Sequence, residues 1–139
     1  MSARPHRFSI SLPTGDRHRA MSFYRAVFDL ELIGEPDAEG IPEPLQFRLG
    51  EGLLLTLIPR GGLAGVLGER DLAPSDRSEC VFGHTVSTRA EVDQLVARIC
   101  DAGGSVLTEA ALEDWGYTVL CADPDGHAWQ ITAEASFPR

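Results

Sequence analysis

The sequence has no lysine: all twelve of its basic Lys/Arg positions are arginine. That absence excludes Schiff-base chemistry, a lysine general base and the phosphate-gripping lysine of a P-loop. Asparagine is missing too, so there is no acceptor for N-glycosylation. Cysteine is scarce. Cys80, Cys100 and Cys121 stand about twenty residues apart, a spacing that suits neither a disulfide framework nor a C-x-x-C zinc or redox motif, and all three are expected as small core residues. No stretch approaches the roughly 18 apolar residues of a membrane span, and the opening MSARPHRF lacks the apolar region of a signal peptide. A cytoplasmic protein is expected.

What is present fits one domain over residues 1–139, 43% hydrophobic and able to build a core without disulfide or metal staples. With 21 acidic against 12 basic residues the net charge is -9, which repels phosphate backbones and anionic lipid. Neither nucleic acid nor a membrane is expected as a partner. The charge is unevenly spread: residues 1–28 hold five arginines and one acid, whereas residues 29–51 hold seven acids and one arginine.

The hydrophobic pattern repeats an order of elements. Residues 8–12 alternate apolar and small polar side chains, a half-buried strand. After Asp16, the expected N-cap, the spacing of Ala20, Phe23, Tyr24, Val27 and Phe28 draws an apolar helical stripe. Residues 30–33 form a short strand, and residues 45–49 and 53–58 form a hairpin around Gly50-Glu51-Gly52. Residues 59–78, rich in glycine, read as a linker holding at most one helical turn. Extended composition resumes at residues 80–86. Thr88-Arg89-Ala90-Glu91 has the form of a capping box before the stripe Val92, Leu95, Val96, Ile99, and Gly103-Gly104 ends that helix. A short strand at 105–107, an acidic loop at 108–114, a strand at 117–121, the turn Asp123-Pro124-Asp125-Gly126 and a last strand at 128–132 complete the chain. Both halves are thus β-α-β-β-β, module 1 over about 8–58 and module 2 over about 79–133. The expected architecture is α+β: two paired βαβββ modules whose curved sheets form a concave pocket.

The segment from Phe23-Tyr24-Arg25 to Leu30-Glu31-Leu32 resembles the helix-to-strand motif of the vicinal oxygen chelate superfamily, which includes glyoxalase I, bleomycin-resistance proteins and extradiol dioxygenases. The ending Asp123-Pro124-Asp125-Gly126-His127-Ala128-Trp129-Gln130-Ile131 is similar to that group's closing D-P-D-G-H-x-W motif, and Trp115-Gly116-Tyr117 resembles a W-G-x-Y segment of some glyoxalase-like members. The resemblance covers residues 8–132. It implies a homodimer and, in the enzymes, a divalent metal held by side chains of the first and last strand of each module.

Carried over, those four positions fall on Ser9, Thr56, Val81 and Gln130, of which only Gln130 is a fair ligand. Shifting the register by one or two residues adds Glu79 as the sole carboxylate and never reaches the roughly three good ligands of a catalytic site. No metal and no cofactor are therefore expected. Alternation turns Ser9, Ser11, Thr56 and Gln130 inward, with Phe47, Trp115 and Tyr117 as aromatic walls. His84 falls on the opposite face, and His6, His18 and His127 read as solvated or turn residues. The function expected is capture of a small amphipathic or aromatic organic ligand by a bleomycin-resistance-like protein without the usual metal ligands. The alternative is a glyoxalase-like lyase, isomerase or dioxygenase with an atypical metal site, in which Gln130 and Thr56 polarise an oxygen and His84 or Glu79 moves protons.

Overall fold

The computed structural model describes residues 6–135, and the chain divides into two compact units between Leu72 and Ala73. Each unit contains a four-stranded mixed sheet with one long helix on it, an α+β arrangement with the repeated βαβββ order. Among the described residues no helix is long and apolar enough to cross a membrane.

In the first unit, β1 (Phe8–Thr14) leads to α1 (Arg17–Phe28), then β2 (Glu31–Ile33), β3 (Leu45–Gly50) and β4 (Leu53–Pro59). The strands lie in the order β1-β4-β3-β2, with β1 parallel to β4 and the other pairs antiparallel. Asp16 caps α1 as expected, its carboxylate accepting the Arg19 N–H at 3.0 Å. The helix stripe Ala20, Phe23, Tyr24 and Val27 is buried, and Leu45, Phe47, Leu55 and Leu57 of β3 and β4 are buried with it. Tyr24 and Phe47 meet at 5.8 Å between ring centroids. Residues 59–78, expected as a linker, instead contain an eight-residue helix, α2 (Arg60–Leu67). Three glycines within α2 weaken its helical signal, and only Leu63 is buried, so no long stripe marks it in the sequence.

The second unit runs β5 (Val81–Val86), α3 (Arg89–Asp101), β6 (Ser105–Glu113), β7 (Gly116–Ala122) and β8 (Ala128–Glu134). Its order β5-β8-β7-β6 repeats the first topology, again with the first and last strands parallel. Thr88 caps α3 by accepting the Glu91 N–H at 3.1 Å, while the Glu91 carboxylate reaches back to the Ser87 N–H at 2.9 Å. At the other end the Gly104 N–H bonds to the Ile99 carbonyl at 2.8 Å and the Gly103 N–H to that of Cys100 at 3.2 Å, the paired bonds of a Schellman motif. Gly103 supplies the positive φ of 98° that this ending needs. The expected acidic loop at 108–114 is strand up to Glu113. Register shifts between Val106 and Thr108 and between Thr108 and Ala111 break its alternation, which hides it from a period-two reading.

The cysteines also depart from expectation. Only Cys121 is buried; Cys80 and Cys100 are exposed. Burial, helped by nearby Cys100, pushes the Cys121 thiol up to about 11. Because the thiolate is the reactive form, Ellman's reagent is expected to titrate Cys80 and Cys100 quickly in the native protein and Cys121 only after denaturation. Three equally fast thiols would contradict this burial.

Candidate functional site

Strand pairing sorts the predicted site residues by face. In the second unit, Phe82, His84 and Val86 of β5 pair with Trp129, Ile131 and Ala133 of β8, and these pair in turn with Cys121, Val119 and Tyr117 of β7. This is the face on which α3 packs. Tyr117 therefore does not line the open face, contrary to expectation: its hydroxyl donates to the Asp93 carboxylate of α3 at 2.8 Å, and Arg89 lies 5.7 Å from its ring centre. The Asp93 carboxylate as acceptor raises the Tyr117 pKa above its ordinary value. His84 shares the α3 face, and loss of hydration holds its pKa below the usual imidazole value.

Gln130, Thr132, Thr118 and Leu120 point the other way, with Thr118 and Thr132 joined hydroxyl to hydroxyl at 3.0 Å. Beside them opens a cavity of about 430 Å³ whose walls include Val81, Leu120, Thr118, Gln130 and Trp115. That volume lies within the range of small-molecule sites. Trp115 sits in the turn between β6 and β7 and is 46% exposed, so much of its ring is presented to solvent. Trp129, by contrast, is stacked on Phe82 at 4.9 Å in the core.

Glu109 and Glu113 also line this cavity, and the sequence reading missed both. Glu113 pairs with Gly116 and takes the open face by simple alternation. Glu109 depends on the irregularity in β6. Thr108 pairs with Leu120 and Ala111 with Thr118, so Glu109 and Ala110 together stand opposite Val119. A regular strand would send Glu109 toward α3; the bulge re-aims it into the cavity. The acidic run at 108–114 was the available signal, and it reads as an acidic loop rather than as a strand.

In the first unit the open face carries Ser9 and Ser11 of β1 and Leu54 and Thr56 of β4, paired Ser9 to Leu54 and Ser11 to Thr56. The Thr56 hydroxyl accepts from the Gln46 amide at 3.1 Å. Phe47, expected as a pocket wall, is instead fully buried against Tyr24 under α1. Its neighbours Gln46 and Arg48 pair with Thr56 and Leu54 on the open face, so alternation turns Phe47 inward.

One cluster among the described residues brings three metal-ligating side chains together: Asp123, Asp125 and His127, with ligand atoms within 4.8 Å of one another. These residues could hold a metal. Hydrogen bonds among them build a turn: Asp123 is buried, and its Oδ1 accepts the backbone N–H groups of Asp125 and His127, each at 2.9 Å. The Gly126 N–H closes the turn on the Asp123 carbonyl at 3.0 Å.

The repeated βαβββ topology and these open sheet faces define a protein of the glyoxalase-like class. The chain belongs to the glyoxalase/bleomycin resistance protein/dioxygenase superfamily, whose family model matches residues 6–131. A glyoxalase-related enzyme from Fulvimarina pelagi is 27% identical with a TM-score of 0.75, over 90% of this chain and 85% of that one. Hypothetical protein SA1046 from S. aureus is 22% identical, TM-score 0.74, over 96% of this chain and 95% of that one. The fosfomycin resistance protein FosX from Listeria monocytogenes shares the fold at 18% identity, TM-score 0.61, over 100% of this chain and 97% of that one. No curated protein is significantly similar to the chain.

Proposed function

We propose that this protein is a ligand-capturing member of its superfamily, holding a small amphipathic or aromatic organic molecule in the cavity on the open face of the second sheet. The observation that carries this reading is Trp115, a half-exposed indole beside a cavity of about 430 Å³. A large apolar ring left in water costs hydration free energy that stacking with a flat ligand recovers. Gln130 and Thr118 supply an amide and a hydroxyl for a polar group, and Val81 and Leu120 supply apolar walls.

The usual metal ligands are lost in this reading. Val81 has no donor atom, and Thr56 already accepts from Gln46. Ser9 offers a neutral hydroxyl, leaving the Gln130 carbonyl alone, a donor set that does not fit a catalytic divalent ion. A homodimer belongs to the same reading: edge strand β6 carries exposed Val106, Leu107 and Leu112, apolar surface that a second copy would cover.

Naphthylmethanol, a neutral flat alcohol, tests the site. It is expected to bind saturably by equilibrium dialysis and to shift the Trp115 indole N–H resonance of the native protein, and Trp115→Ala to weaken the binding read by dialysis roughly tenfold, the upper part of what an aromatic pair contributes. Unchanged affinity in that variant, or no shift at all, would overturn the reading. Elemental analysis after dialysis against zinc, nickel, manganese and iron(II) is expected to find substoichiometric metal. One ion per chain would instead favour the atypical-metal alternative.

A further inference from the structure

We infer that Tyr117, from the α3 face of the second sheet, positions Trp115 for the ligand on the opposite face: its hydroxyl bond to Asp93 fixes the hairpin tip that carries the indole. This rests on the proposed ligand-binding role and adds what sets the affinity of that site. Glu113 pairs with Gly116, so Asp114 and Trp115 form a two-residue loop between β6 and β7. Gly116 also makes the end pair of β7 with β8, to Glu134, and the loop therefore lies past the last strand pairing. The Trp115 side chain has no hydrogen bond or ring contact among the described residues. Its place beside the cavity is set by whatever holds the tip.

Two backbone contacts and one side chain do so. The Ala135 N–H donates to the Trp115 carbonyl at 3.0 Å. Gly116 lies so close to β8 that a Cβ there would come to 2.5 Å from the Ala133 carbonyl oxygen. Both fasten the tip to the end of β8, a single line about which the hairpin end can still tilt. Tyr117 ties it to a second element: its hydroxyl donates to the Asp93 carboxylate at 2.8 Å, and Arg89 lies 5.7 Å from its ring centre. A hydrogen bond to an ionised acceptor is one of the stronger kinds. Its anchor is firm, because α3 is capped by Thr88 and buries Val92 and Leu95 on either side of Asp93. The bond to Asp93 also raises the Tyr117 pKa, so the phenol keeps the proton that it donates.

Equilibrium dialysis of naphthylmethanol and the Trp115 indole N–H resonance of the ligand-free protein test this together. Tyr117→Phe, which keeps the ring and loses the donor, is expected to shift that resonance and to weaken binding roughly fivefold, a part of what a hydrogen bond to a charged group is worth. Asp93→Ala is expected to do the same, and the double variant no more than either. Asp93→Asn, whose amide oxygen still accepts, should stay within about twofold of native. In a Trp115→Ala background, Tyr117→Phe is expected to leave binding unchanged, a silence that a merely structural role would not produce. If Tyr117→Phe binds the alcohol as the native protein does, or weakens binding equally without Trp115, the positioning inference falls and the pocket stands. If the native protein does not bind the alcohol, the ligand reading falls. The placement of Trp115 by Tyr117 is then decided by the ligand-free resonance, which overturns it by staying unmoved in both Tyr117→Phe and Asp93→Ala.

Discussion

Trp129→Ala is expected to destabilise the protein by ~3–5 kcal/mol, the cost of emptying a large aromatic site in a packed core. Trp129 is 3% exposed and its ring stacks on Phe82 at 4.9 Å with the planes 23° apart. Its β8 neighbour Ile131 is fully buried on the same face, so the hole has little slack with which to close. Such a loss is a large fraction of the ~5–15 kcal/mol that holds an ordinary domain folded. Urea denaturation reads it as a drop in midpoint, and a loss under ~1 kcal/mol would show that Trp129 is not part of a packed core. Trp115→Ala supplies the contrast. At 46% exposure it should move the midpoint by no more than ~0.5 kcal/mol, so that its effect on ligand binding is read in a folded protein.

Gly104→Ala is expected to cost ~2–3 kcal/mol, the upper part of the usual range for overpacking. A Cβ there would run into the carbonyl oxygen of Ala122 and approach Ile99 Cγ2 to 2.7 Å and the Ile99 carbonyl oxygen to 3.0 Å. Two of those contacts are backbone, which cannot swing aside as a side chain can. Gly65→Ala, on α2 with open space around it, should instead stabilise by ~0.5–1 kcal/mol through helix propensity alone. Thermal or urea unfolding of the pair should give opposite signs, and a neutral Gly104→Ala would mean that the α3-to-β6 junction is loosely packed.

The elements legible in the sequence were those whose signal is local. Asp16 and Thr88 cap their helices because a short side-chain oxygen two or three residues ahead of a free N–H suffices. The stripes of α1 and α3 and the β3–β4 hairpin follow from periodicity. The missed features depend on more than a residue's neighbours in the chain. The residues of β6 alternate poorly because its bulges leave two extra residues against β7, and Glu109 faces the cavity only through that register. Phe47 and Tyr117 were misplaced for another reason. An aromatic on a strand suits either face equally well by type, and only its pairing with Leu55 or Ala133 decides which. Ser9, Ser11, Thr56 and Gln130 were placed on the open faces because regular strands carry them.

Each unit's first strand pairs with its last, β1 with β4 and β5 with β8, and β8 lies between β5 and β7. During synthesis this ordering is consequential. The strand at Val81–Val86 leaves the ribosome more than forty residues before Ala128–Glu134, the only strand that pairs with it among the described residues. Until those last residues emerge, the edge of β5 has no neighbour in its own sheet, and the nascent chain must keep it from finding one elsewhere. Closure of the second sheet is thus a late, long-range event, and a stall or stop codon before Ala128 would release a chain lacking an interior strand rather than a trimmed edge.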